Sequence, residues 1–225
     1  MPLTPRAFGD RGRRRAEKQG IDPARLPPGQ SPTAPGKFPV LTVGPAPHVA
    51  PGDWKLFIHG EVAEPLSFSL ADLRPRALEQ VCDVHCVTRW SKFDTRWTGV
   101  RVRELLEAAR PRPEATHALV HSYGGYSTNL PLEALLDDDV LVTWAFDGQP
   151  LEHQHGGPVR LLVPKRYFWK SAKYLQAIEL LDHDEPGFWE RNGYHNEGDP
   201  WLEERTHTDP FAFRALRRRA RGVKE

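Results

Sequence analysis

The 225-residue chain has only two cysteines and no long hydrophobic run. Two cysteines are too few for a disulfide-stapled secreted scaffold, so each of them needs its own explanation. The longest apolar stretch covers residues 140–146 and is interrupted by Thr143, whereas a membrane-spanning helix needs about 20 apolar residues. The sequence therefore predicts a folded protein without a membrane span.

Several common catalytic motifs are also missing. Neither a Walker loop nor a G-x-G-x-x-G fingerprint occurs, which argues against a nucleotide held by one of those phosphate cradles. The chain has no G-x-S-x-G nucleophile elbow, no H-E-x-x-H zinc helix and no C-x-x-C-H haem attachment site. These absences argue against a serine hydrolase, a zincin protease and a c-type cytochrome.

A net charge of +1 conceals an uneven distribution of charge. Residues 1–20 carry six basic and two acidic side chains, and residues 214–225 carry six basic and one acidic. The residues between them carry 19 basic and 27 acidic side chains. Basic ends are typical of solvated termini, with contact to nucleic acid or acidic lipid as the alternative. The balance of the whole chain does not favour a nucleic-acid partner.

Composition also divides the chain. Residues 1–36 hold seven prolines and almost no aromatic side chain, which predicts an extended arm because little apolar surface is there to bury. Residues 37–208 are predicted to form one folded domain with an aromatic C-terminal cap, and residues 209–225 a basic tail. Three arginines at 13–15 suggest a twin-arginine export signal, but residues 16–30 are polar and proline-rich where an apolar region is required. We therefore expect a cytoplasmic protein.

The periodicity of the central region favours strands over helices. Alternating or continuous apolar runs predict strands at residues 54–60, 66–70, 118–122, 140–146, 159–163 and 174–181. Helical spacing is found at residues 100–109, and a short helix begins at residue 71. No regular alternation of strand and helix is present, so the pattern predicts an α+β fold with mixed β-sheets and short helices.

Both cysteines lie in the segment Cys82-Asp-Val-His85-Cys86. On a helix these two cysteines and His85 would share one face and could bind a structural zinc ion. The alternative for Cys82 is a small buried apolar residue. Cys86 differs because a polar, basic run follows it, and nearby cations favour the thiolate that binds soft metals.

A second candidate site is the segment from Gly156 to Tyr174, which contains five basic residues and no acidic one. Glycines allow a backbone to approach a ligand closely, and arginine and lysine bind phosphate. The segment therefore predicts an anion site, with a solvated basic edge as the alternative.

These segments together resemble the molybdopterin-binding domain of the sulfite oxidase family. Gly148-Gln-Pro-Leu and the following His155-Gly-Gly-Pro-Val-Arg160-Leu-Leu-Val-Pro are similar to that family's signature, with Lys170-Ser-Ala-Lys a short distance beyond it. Cys86 precedes Trp97-Thr-Gly-Val as the family's metal-binding cysteine does, and Tyr126-Ser-Thr-Asn-Leu-Pro resembles the segment with the active-site tyrosine. The resemblance covers residues 38–181.

The resemblance implies a role for individual residues. Cys86 would give its thiolate to the molybdenum of a molybdenum–molybdopterin cofactor, and Tyr126 would donate a proton or hydrogen bond beside the metal. Arg89 would be a third catalytic residue, although the family places its arginine at a different spacing after the cysteine. The cofactor-contacting positions would be Phe38, Ser122, His155, Arg160, Ser171 and Lys173, of which Arg160, Ser171 and Lys173 match positions that hold the pterin phosphate.

Departures from the family pattern bear on the substrate. Val40 and Leu41 stand where sulfite oxidases carry an arginine that binds the substrate anion, and 225 residues leave no room for the immunoglobulin-like dimerisation domain of those enzymes. The resemblance therefore implies an oxidoreductase that transfers an oxygen atom or two electrons, with a sulfoxide or N-oxide favoured over sulfite. No haem or flavin motif occurs, so a separate electron-transfer partner is expected. The alternative is a non-redox protein that binds pterin or phosphate and holds structural zinc at Cys82, His85 and Cys86.

Overall fold

The fold is described from a computed structural model. The structure describes residues 5–207, and side chains are described from residue 10 onward. The predicted basic tail at 209–225 lies outside the described residues. The elements of this part of the chain form two mixed β-sheets with short helices, which confirms the α+β prediction.

The first sheet is built around one long strand. Its strands are β1 (Ser31–Pro32), β4 (Leu78–His85), β5 (Trp90–Arg101), β8 (Leu141–Phe146), β9 (Gln149–Pro150) and β10 (Arg160–Leu162). The central strand β5 pairs with β4 along one edge and with β8 and β1 along the other, and β8 then pairs with β9 and β10. Because β4 and β5 are antiparallel neighbours, the short connection between them is a hairpin loop at one end of the sheet.

The second sheet has the strand order β3-β2-β11-β6-β7. Its strands are β2 (Lys55–Gly60), β3 (Leu66–Ser69), β6 (His117–Ser122), β7 (Ser127–Pro131) and β11 (Leu175–Leu181). Only β2 and β11 run parallel to each other. One face of these strands is buried, as the alternation of β2 and β6 predicted.

Five short or medium helices complete the described chain: α1 (Pro5–Lys18), α2 (Leu70–Leu73), α3 (Val102–Ala109), α4 (Leu132–Leu135) and α5 (Phe188–Arg191). Single turns of 3₁₀-helix lie at Pro23–Arg25, Arg74–Arg76 and His153–His155. Helix α3 buries Leu105 and Leu106 in the main hydrophobic core, together with residues of both sheets such as Ile58 and Val142. The two sheets therefore share one core, and their loop ends come together on one side of it.

The prediction of an extended arm over residues 1–36 is wrong for the described part of that segment. Residues 5–18 form α1, whose small residues Gly12 and Ala16 are buried while the arginines between them are exposed. A Cβ atom at Gly12 would overlap the carbonyl oxygen of Gln30. The prediction from composition was wrong because this helix buries small residues, four positions apart, and not large apolar ones. Small residues let the helix backbone approach its neighbour closely.

The rest of the N-terminal segment is also anchored to the first sheet. Strand β1 pairs in parallel with β5, and the Arg25 guanidinium donates two hydrogen bonds to Asp83 at 2.7 and 3.0 Å. Leu26 and Gln30 are buried. The N-terminal segment is therefore part of the folded body and lies beside the β4–β5 hairpin.

Candidate active site

A cavity of about 200 Å³ opens where the loop ends of the two sheets meet. The first sheet contributes the β4–β5 loop and Arg160, and the second contributes Ser122 and the β6–β7 turn with Tyr126. Eight of the nine site residues predicted from the sequence line this cavity: Phe38, Cys86, Ser122, Tyr126, His155, Arg160, Ser171 and Lys173. The fold therefore brings together side chains that are up to 135 positions apart in the sequence.

Cys86 is held in the tight loop of the β4–β5 hairpin. Its backbone N–H donates to the carbonyl of Trp90 at 2.8 Å, and its carbonyl accepts from the N–H of Arg89 at 2.9 Å. The loop closes through a left-handed residue, Arg89, whose φ is 74°. The Cys86 side chain is buried, and its Sγ accepts a hydrogen bond from the Thr88 hydroxyl at 3.2 Å. The hairpin thus presents a sulfur atom to the cavity in a fixed orientation.

The alternative of a structural zinc site at Cys82, His85 and Cys86 is wrong. Cys82 and His85 lie on strand β4, and Cys86 lies in the loop that follows it, so the helix on which the three side chains would share a face does not form. Cys82 Sγ lies 3.6 Å from the Thr95 hydroxyl, whereas His85 Nδ1 pairs with Ser91 Oγ at 2.8 Å. Over residues 5–207, no group of three or more histidine, cysteine or acidic side chains is arranged to hold a metal ion.

The electrostatics of Cys82 and His85 agree with a packing role. Burial raises the pKa of the Cys82 thiol to about 12 and lowers the pKa of His85 to about 4. Both groups are therefore neutral near pH 7. Cys82 packs in the smaller core cluster beside Trp97 and Leu141, which is the apolar role expected as its alternative.

Arg160 is a buried cation at the cavity wall. Its guanidinium donates to the carbonyls of His155 and Ser171, each at 2.7 Å, and lies 4.1 Å above the Phe168 ring. Burial lowers its pKa to about 9, which leaves it charged at neutral pH. The adjacent His155 ring stacks on Phe38 with centroids 4.3 Å apart. The arginine thus fixes the signature segment around it and places a positive charge beside the cavity.

Lys173 is the second basic side chain of the cavity. Its Nζ donates to the carbonyls of Leu41 at 2.8 Å and Gln154 at 2.7 Å. Burial, together with the charge of Arg160, lowers the pKa of Lys173 to about 7. Ser171 contributes differently, because its hydroxyl accepts a hydrogen bond from the Val163 N–H at 2.9 Å and so joins two backbone segments.

Hydroxyl groups line the second-sheet side of the cavity. The Tyr126 hydroxyl donates to the Trp169 carbonyl at 2.7 Å, and burial keeps its pKa well above the ordinary value. Its proton is therefore engaged with the backbone in this structure. The Ser122 Oγ and the Tyr174 hydroxyl are buried at the cavity wall without a hydrogen-bond partner. Ser122 was predicted from the sequence, whereas Tyr174 was identified only as the start of a strand.

Arg89 does not line the cavity. One of its guanidinium nitrogens donates to the Gly29 carbonyl at 3.4 Å and lies 3.8 Å from the Glu203 carboxylate. The side chain therefore leaves the loop toward the segments that flank it. Its predicted catalytic role has no support in this placement, because a catalytic group must reach the reacting atoms.

The basic segment 156–174 does not act as a single anion site. Lys165 and Arg166 form surface ion pairs with Asp137 at 3.0 Å and Glu197 at 3.3 Å. Lys170 is fully buried and pairs with Glu190 at 2.7 Å. Only Arg160 and Lys173 of the five basic residues reach the cavity, so the count of charges overestimated the anion site.

The aromatic C-terminal segment contributes both packing and hydrogen bonds at the cavity. Trp189 and Tyr194 line the cavity beside Trp169. Glu190 accepts hydrogen bonds from the Thr128 hydroxyl and the Trp169 indole N–H. Sequence reasoning missed these contacts, since an acidic residue in an aromatic segment gives no sign that its partners lie 21 and 62 positions upstream.

The donor set of the cavity fits an anionic cofactor bound to a soft metal. Cys86 offers sulfur, which soft metal centres prefer. Among the described residues, neither Arg160 nor Lys173 has a carboxylate partner, and the buried charge of Arg160 calls for a counter-ion. The unpartnered hydroxyls of Ser122 and Tyr174 can bond a polar ligand. Fold and site together are those of a domain that can hold an anionic cofactor with a soft metal.

Comparison with known proteins identifies the domain. Residues 43–189 match the model of the oxidoreductase molybdopterin-binding domain, and the chain belongs to that family, the sulfite oxidase family. It is 42% identical to the uncharacterized oxidoreductase YuiH of Bacillus subtilis, over 84% of this chain and 95% of that protein. The protein is therefore an enzyme of a molybdopterin oxidoreductase family.

Two further matches each cover a little over 60% of the chain. The protein-methionine-sulfoxide reductase catalytic subunit MsrP of Gluconobacter oxydans is 31% identical over 63% of this chain, which spans about half (51%) of that protein. The sulfane dehydrogenase SoxCD of Paracoccus pantotrophus has the same fold, with a TM-score of 0.56 and 22% identity over 62% of this chain and 41% of that one. Within residues 5–207, no helix has the length and hydrophobicity required to span a bilayer.

Proposed function

We propose that the protein binds molybdenum–molybdopterin with Cys86 as the protein ligand and reduces a neutral oxygenated substrate such as a sulfoxide or an N-oxide. The observation that carries the proposal is the placement in one cavity of the Cys86 sulfur and of two basic side chains without a carboxylate partner, Arg160 and Lys173. When bound, the cofactor supplies the two-electron redox centre at which the oxygen atom is exchanged. The protein supplies binding, orientation and electrostatics.

Individual residues have separate roles in the proposed reaction. Cys86 holds the metal from the hairpin loop, while Arg160 and Lys173 neutralise the pterin phosphate. The stacked rings of Phe38 and His155 fix one wall of the cavity. Reduction of a sulfoxide to a sulfide and water also consumes two protons. A tyrosine can deliver one, and Tyr174 is better placed than Tyr126 because its hydroxyl makes no hydrogen bond in the structure.

The rim of the cavity supports a neutral substrate. Residues 38–47 form a strap along the mouth, and its Leu41 and Val43 side chains are 45% and 39% exposed there. Arg160 and Lys173 already donate to backbone carbonyls, those of His155 and Ser171 for Arg160 and those of Leu41 and Gln154 for Lys173. An anion such as sulfite would meet apolar side chains at this rim, which costs the anion its hydration without a compensating charge.

Electron supply is the second part of the proposal. The name of MsrP describes it as a catalytic subunit, which supports a separate partner that delivers electrons to this chain as well.

A screen of oxygenated substrates tests the reaction. We expect the purified, molybdenum-loaded protein, reduced by a viologen dye, to oxidise the dye when dimethyl sulfoxide, methionine sulfoxide or trimethylamine N-oxide is added. Sulfite with ferricyanide as acceptor should give a rate at least about 100-fold lower, the discrimination expected when a charged group finds no partner. Rapid sulfite oxidation with no sulfoxide or N-oxide reduction would refute the proposed substrate class.

A second test addresses the phosphate-binding role of Lys173. We expect Lys173→Met to weaken retention of molybdopterin by about tenfold or more, because a hydrogen bond to a charged group contributes about 1.5–3 kcal/mol. The measurement is the fluorescence of the oxidised pterin released per mole of protein after dialysis. Lys165→Met is the matched control, because Lys165 pairs with Asp137 on the surface. Equal retention in both variants would contradict the role of Lys173.

A further inference from the structure

The loop that carries Cys86 contains a second polar side chain directed at the sulfur. Thr88 lies two residues after the cysteine, lines the same cavity, and donates its hydroxyl proton to Cys86 Sγ at 3.2 Å. The half-buried Thr88 is β-branched, so its χ1 is restricted and the hydroxyl keeps its direction. Thr88 has no role in the cofactor binding proposed above.

The conformation of the loop is maintained by residues outside the matched domain of residues 43–189. Gln30, from the N-terminal segment, is fully buried and donates its side-chain amide to the Cys86 carbonyl at 3.0 Å. Arg205, from the C-terminal segment, donates to the Val87 carbonyl at 2.6 Å and to the Pro28 carbonyl at 3.3 Å. Consecutive carbonyls of the loop are therefore held by two different parts of the chain.

Gln30 and Arg205 are themselves held in place by neighbouring residues. The carbonyl of Gln30 lies against Gly12 of helix α1, where a larger residue would not fit. The Arg205 guanidinium lies 4.8 Å above the Tyr167 ring and 3.5 Å from the Glu203 carboxylate. The loop is therefore closed from both sides, and Thr88 has little freedom to turn away from the sulfur.

We propose that Thr88 tunes the reduction potential of the metal bound by Cys86, and that Gln30 and Arg205 are positioning residues that hold the loop in the conformation this requires. The proposal rests on the proposed function, because it needs a metal at Cys86. A hydrogen bond to a thiolate ligand withdraws electron density from the sulfur and stabilises the more electron-rich, reduced state of the centre. Thr88 therefore raises the reduction potential.

The test compares Thr88→Val, which keeps the branched shape and removes the hydroxyl, with Thr88→Ser, which restores it. A redox titration of the molybdenum(V) EPR signal is the readout. At a fixed potential, we expect Thr88→Val to lower the ratio of reduced to oxidised centre by about tenfold, or about 59 mV for a one-electron step. Thr88→Ser should return the ratio to the wild-type value. A wild-type potential in Thr88→Val would overturn the proposal.

The bracing role is tested separately with Gln30→Met, which preserves length and removes the amide. We expect the potential to move in the same direction by a smaller amount and the EPR lines to broaden, because the loop samples more than one conformation. A lower melting temperature with an unchanged potential and line shape would overturn the positioning role. Molybdenum content is measured for the wild type first. If the wild type binds no molybdenum, the proposed function fails, whereas loaded protein with an unmoved potential refutes only the role of Thr88.

Discussion

Replacement of Cys86 by serine is expected to abolish the activity of the enzyme. A serine hydroxyl is a poor ligand for a soft metal centre and does not reproduce the bond from a thiolate. Substitution of an outer residue at a metal site already costs about 10–100-fold, so we expect loss of the ligand to lower sulfoxide reduction by at least about 100-fold. X-ray absorption of any molybdenum that remains should show one sulfur ligand fewer than in the wild type.

Cys82→Ser is the matched control for this experiment, since it makes the same chemical change four residues earlier. Cys82 packs beside the Thr95 hydroxyl, and burial raises the pKa of its thiol to about 12, so it is not a thiolate at neutral pH. We expect this variant to keep its molybdenum, its sulfur ligand count and its activity. Equal loss in the two variants would show that both cysteines serve the metal and would refute the assignment of Cys86 as the sole protein ligand.

The buried ion pair between Lys170 and Glu190 should give the largest effect on stability. Both side chains are fully inaccessible, and Lys170 Nζ also donates to the carbonyl and the side chain of Asn129 at 2.7 and 2.8 Å. Burial lowers the pKa of Lys170, while the neighbouring Glu190 opposes this effect. Glu190→Gln would leave the ammonium without its counter-charge, and removing one partner of a buried pair costs about 3–5 kcal/mol. Chemical unfolding measures this loss.

Two further variants separate this effect from a general sensitivity to substitution. Glu79→Gln breaks an exposed pair with Arg96 at 3.2 Å and should cost at most about 1 kcal/mol. The double variant Lys170→Met with Glu190→Leu removes both charges and should be more stable than Glu190→Gln alone, because no buried charge remains. The single variants Lys170→Met and Glu190→Leu complete the comparison. If their losses of stability add up to the loss in the double variant, the two charges contribute independently, which would contradict this interpretation.

Local sequence patterns predicted much of the secondary structure. The alternation of apolar residues in β2 and β6 follows directly from the two faces of a half-buried sheet. The helical spacing at residues 100–109 was correct from Val102 onward, while Val100 and Arg101 end strand β5. Of the nine site residues that the resemblance to the family implied, eight line the cavity. In both cases the relevant information is contained in short segments of the chain.

Contacts between distant segments could not be predicted in the same way. Helix α1 was missed because its burial depends on a close approach to Gln30, which no pattern within the helix records. The basic segment was overestimated because Lys170 is neutralised by Glu190 and Lys165 by Asp137. The zinc hypothesis assumed a helix, whereas Cys82 and His85 lie on a strand and Cys86 in the loop after it, each with a partner of its own. Tertiary structure decides each of these cases.

The cavity takes its walls from both sheets, and this arrangement has a thermodynamic consequence. A group bound there contacts the β4–β5 loop of one sheet and Ser122 of the other, so it binds the assembled pair of sheets and not the unfolded chain. Binding of this kind stabilises the folded state by RT ln(1 + [L]/Kd), where [L] is the concentration of free ligand. A partly loaded preparation should therefore melt in two transitions, that of the empty chain and, at a higher temperature, that of the loaded protein. The amplitude of the upper transition gives the fraction that holds the cofactor.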